Sequence, residues 1–371
     1  MNKLAPISVI MSVYNSADYL RESVESILNQ TFTEFEFIII NDGSTDDSWE
    51  ILTEYAERDQ RVKLFKNEEN IGLTKSLNKG IALAQGEYIG RQDADDLSLP
   101  KRFEKQVALL DEYPEVVLVS CDLELINSEG QHIGKKEMAC DRDLVPWYLI
   151  FYNRLAGHSQ VIFRRDKVKS LGGYLENRRY SQDYELWCRL AKVGKIAVLP
   201  EILLQLRIHN KSISVENKLE QKEYSLNQVR HNIGQVLGEE ISLEEAKDLE
   251  RFWVGHWWWG RFPDTRRVGA VHSRLKAIHR MFLQQGTQQN CSAPKMSRRL
   301  RILIGQQFIC WIQALSIRHR LLSKMNISLY AFAWYPLGVL DYWLREFWNV
   351  LLRMLRALVR LHHKQTFKAT P

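Results

Sequence analysis

The chain has 371 residues, of which 26% are charged and 45% hydrophobic, and a formal net charge of +6. That length predicts roughly two domains with room for a large core, and it excludes a small scaffold held together by disulfides. The charge is segregated: from Glu250 onward there are 20 Lys and Arg against 4 Asp and Glu (net +16), whereas residues 1–249 hold 31 against 41 (net −10). An acidic body with a basic, tryptophan-rich tail predicts that the tail faces an anionic surface. The cysteines Cys121, Cys140, Cys188, Cys291 and Cys310 are scattered, odd in number and form no CxxC. A reducing, cytosolic setting is therefore expected. The apolar run near the N-terminus is too short for a signal peptide and continues as a strand.

In chain order, "ISVIMSV" (7–13) reads as a strand buried on both faces, followed by a helix with Leu20, Val24, Ile27 and Leu28 on one side. "FEFIII" (35–40) is a second strand, with a helix expected over 44–57. A third strand is expected at 62–66, a helix at 73–85, a fourth strand at 87–92, a helix at 100–112 and a strand at 116–120. This alternation predicts βαβ units and a mostly parallel sheet. Beyond 121 the pattern loosens. A hairpin turn is expected at 128–130, strands at 159–163 and 195–199, and a short helix at 183–191. Residues 216–290 read as helices around "FWVGHWWWGRF".

The fourth strand runs into "GRQDADDLSLP" (90–100), which puts Asp93, Asp95 and Asp96 within four positions. Two like charges about 4 Å apart cost on the order of 1–4 kcal/mol in a watery to surface-like dielectric. Solvent, a cap on the next helix, or a divalent cation could offset this. Ligands of open parallel sheets sit beyond the carboxyl ends of the strands, and a second acidic turn, "NDGSTDD" (41–47), ends the second strand. Asp-x-Asp lets two carboxylates reach one hard cation such as Mg²⁺ or Mn²⁺. Other phosphate chemistries lack their signatures. The turn after the first strand, "SVYNSADY", carries no glycine, so a dinucleotide fold is not supported, and no GxxxxGK[ST] occurs. An aspartyl-nucleophile phosphatase would carry its Asp-x-Asp after the first strand.

Four blocks in order, "SVIMSVYNSADYLRESVESILNQTF", "FIIINDGSTDDS", "NIGLTKSLNKGIALAQGEYIGRQDADD" and "PKRFEKQ", resemble family 2 glycosyltransferases of the GT-A fold. The resemblance covers roughly residues 5–215. It implies an α/β fold of the GT-A type: a doubly wound, mostly parallel sheet with helices on both faces. To this the chain would add a C-terminal helical, Trp-rich basic extension, giving expected divisions of 1–215, 216–294 and 295–371. The resemblance also implies a hexosyltransferase-type activity. A sugar would move from a nucleotide-diphosphate donor, UDP-linked by expectation, to the hydroxyl of a carbohydrate or lipid-linked acceptor with inversion, in envelope polysaccharide or glycolipid synthesis.

Residue by residue, the resemblance assigns Ser12, Val13, Tyr14, Asp42 and Asp93 to the nucleotide. Asp95, with Asp93 and His209, would hold Mn²⁺ or Mg²⁺; Asp96 would face the sugar or support its loop. "YSQDYELWCRL" nominates Asp183 as the base, with Gln182 where many relatives carry Glu. Each has a plainer rival role: a turn at Asp42, a helix cap at Asp183, a surface loop at His209. His158 is expected to be structural or acceptor-side, Lys75 exposed, and Arg91 to support the diphosphate or pair with Asp93.

In the tail, "ILIGQQFICWIQALSI" (302–317) and "ISLYAFAWYPLGVLDYW" (327–343) fall short of the ~18–20 clean apolar residues of a membrane span. "WLREFWNVLLRMLRALVRL" places Arg345, Asn349, Arg353, Arg356 and Arg360 at spacings of 4, 4, 3 and 4, a basic amphipathic helix. A cytoplasmic enzyme, peripheral at the inner face of the cell membrane, is expected. No nucleic acid is expected as partner, because the tail is far too apolar for a phosphate-binding arm. Two other readings compete: a nucleotidyltransferase, which would want a basic Gly-rich loop where "VYNSADYL" stands, and an inactive scaffold, disfavoured by Asp93, Asp95 and Asp183.

Overall fold

The computed structural model describes residues 6–138, 140–155, 157–258, 265–285, 293–314, 321–348 and 352. The chain divides into two units, one up to Ile233 and one from Gly234.

The first unit is built on one sheet. Its strands are β1 (Ile7–Val13), β2 (Phe35–Asn41), β3 (Val62–Lys66), β4 (Tyr88–Arg91), β5 (Leu97–Ser98), β6 (Val116–Ile126), β7 (His132–Lys136), β8 (Ile162–Arg164) and β9 (Lys195–Arg207). The helices between them are α1 (Ala17–Leu28), α2 (Ser48–Arg58), α3 (Leu73–Leu83), α4 (Arg102–Glu112), α5 (Val145–Leu149), α6 (Arg165–Ser170) and α7 (Gln182–Val193), with α8 (Ile213–Glu216) and α9 (Lys218–Leu237) after β9. The strand order is β3-β2-β1-β4-β8-β6-β9-β5, with β7 beside β6. β3, β2, β1 and β4 are mutually parallel; β8 opposes both its neighbours, and β6 and β9 are parallel. The doubly wound sheet is thus as expected, with antiparallel pairings confined to β5, β7 and β8.

The continuous apolar runs of β1 and β2 follow from cover on both faces. Ile7, Val9 and Met11 of β1 join Phe37 and Ile39 of β2 in a core completed by Leu20, Val24 and Ile27 of α1, Leu52 of α2 and Phe103 of α4. Alternate residues face the other way, where Ile10 meets α3 at Gly80. Each buried Leu, Ile or Phe side chain contributes about 1.5–3 kcal/mol. The order reverses at β1, since the chain steps outward to β2 and β3 and then returns on the far side as β4. The carboxyl ends of β1 and β4 therefore flank the crevice where such sheets bind ligands.

Two strands are longer than the sequence pattern suggested. β6 continues to Ile126 and β9 to Arg207, paired in parallel along their length. Pro200 and Glu201 obscured this in β9. Their neighbours Leu199 and Ile202 pair with consecutive residues, Cys121 and Asp122, so the two bulge out of the ladder. The hairpin at 128–130 is present between β6 and β7, with Gly130 at φ +77°.

The second unit is helical: α10 (Leu243–Trp258), α11 (Val268–Gln285), α12 (Ala293–Ala314), α13 (Leu321–Trp334) and α14 (336–348). Its interior is aromatic. Phe252 packs edge-on against Phe308 (4.7 Å between centroids) and Trp311 (4.9 Å), and buried Trp334 donates its indole N–H to His272 Nδ1 at 3.1 Å. Among the described residues no helix is long and apolar enough to cross a membrane. The expected amphipathic helix over 343–361 lies largely outside the described residues, as do Trp259, Cys291, Arg353, Arg356 and Arg360.

Candidate functional site

The loops that leave β1 and β2 are sewn together by short polar side chains. Asn15, at φ +48°, accepts the Thr45 N–H on Oδ1 (2.8 Å), and its own N–H donates to Ser44 Oγ (3.0 Å). The Asp46 carboxylate accepts the N–H of Ala17 (3.0 Å) and of Ser48 (3.1 Å), so one side chain starts both α1 and α2. This is why α2 begins at Ser48 rather than at 44. Ser12 is half-buried and Tyr14 is 48% exposed, and both stand at the mouth of the crevice. Val13 turns inward. Its side chain is fully buried in the core by strand alternation, and its carbonyl accepts the Asp42 N–H (2.8 Å).

Asp42 is buried and heavily used. Oδ1 accepts Asn67 Nδ2 (2.7 Å) and the Ile71 N–H (3.0 Å), and Oδ2 accepts the Gly72 N–H (3.0 Å). The carboxylate therefore shapes the loop from β3 to α3. The next residue, Gly43, has φ +72°, and an added Cβ would lie 2.6 Å from the Glu69 carbonyl carbon. Both conformation and space require glycine there.

The three clustered carboxylates are offset in three different ways. Asp93 is neutralised by Arg91, whose guanidinium is 1% exposed, donates to the carbonyls of Ile10 (2.7 Å) and Gln92 (2.8 Å), and forms an ion pair with Asp93 Oδ1. Asp93 Oδ2 accepts the Ser159 hydroxyl (3.0 Å), and its carbonyl accepts Ser23 Oγ (2.8 Å). Burial is the largest single influence and would raise the Asp93 carboxyl, but the Arg91 charge together with the neighbouring groups and the hydrogen bonds from Ser159 and Arg91 outweighs it and holds the carboxyl below the usual range. Arg91 thus pairs with Asp93, and as a metal ligand Asp93 would have to compete with that guanidinium.

Asp96 is buried. Its Oδ1 accepts the Arg207 N–H (3.0 Å), its Oδ2 takes Ser159 Oγ, and its carbonyl accepts Gln92 Nε2 (2.6 Å). Burial, then the negative charges of Asp95 and Asp93, push its carboxyl well above the usual range. Ser159 has one proton for two carboxylates, and a protonated Asp96 would complete the set. Of the two expected roles for Asp96 the structure favours support of the loop, because the buried carboxylate holds Ser159 and the Arg207 N–H.

Asp95 remains. Its side chain is 29% exposed, and Oδ2 lies 3.0 Å from His209 Nε2 across 114 positions of sequence. Arg207, buried, fixes this loop by donating from Nε to the Asp95 carbonyl (3.0 Å) and from Nη2 to Glu22 (2.6 Å), with its guanidinium over the Tyr19 ring. The His209 ring leans on the same Tyr19 at 4.8 Å. Among the described residues no group of three or more His, Cys, Asp and Glu is placed to hold a metal. The Asp95–His209 pair fits a cation that draws its remaining ligands from phosphate and water.

Asp183 is the second residue of α7 and accepts Asn153 Nδ2 at 2.9 Å. Burial pushes its carboxyl up to about 6; its hydrogen bonds oppose the shift and the Asp93 charge adds to it. Ser181 precedes it at φ +53°. His158 stands behind Arg91, with Nε2 2.6 Å from the Tyr174 hydroxyl and its ring edge-on to Trp187. Burial, then the Arg91 charge, push it down to about 3, so it is a neutral prop. Lys75 is exposed on α3.

Sequence reasoning missed Ser159, Arg207, Asn153 and Ser23. Nothing in spacing separates a buried arginine two residues before a histidine from a surface one.

The model of glycosyl transferase family 2 matches residues 8–169. An uncharacterized glycosyltransferase of Haemophilus influenzae is 33% identical over 237 residues, covering 61% of this chain and 73% of that protein. The O-antigen biosynthesis glycosyltransferase WbnJ of Escherichia coli is 38% identical over 213 residues, covering 56% and 81%. The amylovoran biosynthesis glycosyltransferase AmsE of Erwinia amylovora is 32% identical over 204 residues, covering 54% and 75%. Among solved structures, residues 1–349 of S. aureus TarS in complex with UDP-GlcNAc superpose with a TM-score of 0.53 at 18% identity, covering 74% of this chain and 82% of that one. That likeness bears on the fold alone. Identity above 30% across about three quarters or more of these relatives places the chain in glycosyl transferase family 2, and it is a glycosyltransferase.

Proposed function

We propose that the protein transfers a sugar from a nucleotide-diphosphate donor, a UDP-sugar first among them, to an acceptor hydroxyl by direct displacement with inversion. The observation that carries this reading is the Asp95–His209 pair, 3.0 Å apart at the strand-end crevice. In this reading the pair holds Mn²⁺ or Mg²⁺ together with the donor's diphosphate. A cation held there would supply neutralising charge to the departing diphosphate. Ser12 and Tyr14 would line the base. Asp42 would reach the nucleoside through what remains of its lone pairs, and Asp93 would address the ribose or sugar from its arginine-fixed position.

Asp183 takes the acceptor proton at its carboxylate. A pKa of about 6 suits this, since a base poised near the working pH combines availability with driving force. The names of the Erwinia and Escherichia relatives support a role in polysaccharide synthesis. A lipid-linked or carbohydrate acceptor, with the enzyme peripheral at the inner face of the cell membrane, is consistent with the basic tail.

Two protein ligands are too few to retain a hard cation alone. Titration calorimetry with Mn²⁺ is therefore expected to give weak or no heat without nucleotide and clear binding with UDP present. Asp95→Asn and His209→Ala should each abolish that second signal. Manganese binding that is equally tight without nucleotide, or unchanged in both variants, would sink the reading. EDTA should stop donor turnover.

A further inference from the structure

In the second unit, apolar side chains stand in water on two successive helices. α13 buries Ile327, Ala331 and Trp334 and turns Met325, Leu329 and Phe332 outward. Both sets recur at helical spacing, so the helix is apolar on opposite faces. α14 does the same, burying Val339 and Tyr342 and exposing Leu337, Leu344 and Phe347. Leu329 is 71% exposed and Leu337 74%. The Trp343 indole N–H donates to Ser328 Oγ (3.1 Å), tying the two helices to each other. Scattered exposed leucines are ordinary; a run of them along two joined helices marks an interaction surface.

The charge beside this stripe indicates what covers it. Arg301 of α12 donates from Nη2 to the Ala333 carbonyl (3.3 Å), so a guanidinium lies at the last turn of α13. Lys295 and Arg298 are exposed earlier on the same helix, three residues apart. The sequence after Trp348 adds Arg353, Arg356, Arg360, Lys364 and Lys368 with no Asp or Glu. We infer that the outward face of α13 and α14 docks in the plane of an anionic lipid bilayer. Leucine and phenylalanine enter the boundary between headgroups and acyl chains, and the flanking basic groups meet lipid phosphate. Apolar burial combined with cationic attraction is what holds such helices. A second copy of the chain fits less well, because it would bring the same positive charge against this face.

The test uses the full chain and sedimented vesicles of phosphatidylcholine with or without phosphatidylglycerol. Binding is expected to the anionic vesicles and to weaken at about 1 M salt, where the screening length is about 3 Å. The triple variant Leu329→Glu, Leu337→Glu, Leu344→Glu should lose about tenfold or more in vesicle affinity with an unchanged circular dichroism spectrum. Lys295→Glu with Arg298→Glu should lose less, and only on anionic vesicles. In the unmodified protein, hydrogen exchange over 321–348 should slow when anionic vesicles are added, a readout that needs no variant. The inference is overturned if the unmodified protein ignores both vesicle types, if exchange is unaltered, if the folded triple variant binds as before, or if the triple variant merely disperses a dimer.

Discussion

In the first unit Arg91 and Arg207 are sunk almost wholly out of solvent beside Asp93, Asp95 and Asp96, whereas in the second unit Arg267, Arg274 and Arg345, each paired with a carboxylate, keep 31%, 34% and 77% of their side chains exposed. The interior of the second unit is built around Phe252, Phe308 and Trp311, and of its buried carboxylates Asp248 meets the partly exposed Arg267. Burying paired charge is a poor way to gain stability, because desolvation cancels much of the attraction. Burying aromatic rings is a good one. The first unit therefore spends fold stability on holding a cluster of acidic groups beside fully buried arginines in a crevice, whereas the arginine that meets the buried Asp248 of the second unit stays partly in solvent.

The sharpest way to break this comparison is at Asp183. Asp183→Asn should cut turnover by about 10²–10⁴, the usual worth of a general base. It should also make the protein more stable at neutral pH. The folded carboxyl sits at about 6 against an ordinary 3.8, so ionising it costs the folded state more than the unfolded one. The stability present below pH 3.8 is lost as pH rises to about 6, and the Asn variant escapes that loss. The expected gain is on the order of 1–3 kcal/mol at pH 7, read from urea unfolding. An Asn variant that is inactive but no more stable would remove the claim that the site is held against its own electrostatics.

Next in size is the pair of interior deletions. Arg91→Met strands the Asp93 carboxylate and should cost about 3–5 kcal/mol. Phe308→Ala opens the aromatic core of the second unit and should cost about 3–5 kcal/mol. The difference lies in rescue: Asp93→Asn in the Arg91→Met background should recover much of the first loss, and no charge change should recover the second. A milder test is the pH dependence of donor turnover. It should fall about tenfold per unit below a midpoint near 6 and flatten above it. The smallest effect is expected at Lys211, whose exposed pair with Asp18 (2.8 Å) is open to solvent; Lys211→Ala should leave the unfolding midpoint unchanged.

Legibility differed by region for physical reasons. The alternation of apolar runs and amphipathic helices from Ile7 to Ser120 is read directly, because strands buried on both faces cannot be polar and helices covering them must be apolar on one side. Asp95, His209 and Asp183 were named as a set from a resemblance carried by ordered blocks, and the structure brings Asp95 and His209 together. The distribution of work within the acidic triplet was not legible. Nothing local states that Arg91 takes Asp93, or that Ser159 and the Arg207 N–H take Asp96, since those partners come from β4, the segment before β8, and the end of β9.

The sequence by itself determined the mostly parallel sheet of βαβ units, the placing of acidic loops at its strand ends and the contrast between an acidic body and a basic tail. All three follow from periodicity and composition, which are local properties. Only the tertiary structure decided which carboxylate meets His209, that Val13 and Asp96 face inward, and that α13 is apolar on both sides with one side left uncovered. Those outcomes depend on which groups distant in the chain arrive first at each buried hydrogen-bond donor, and desolvation makes that competition all-or-none.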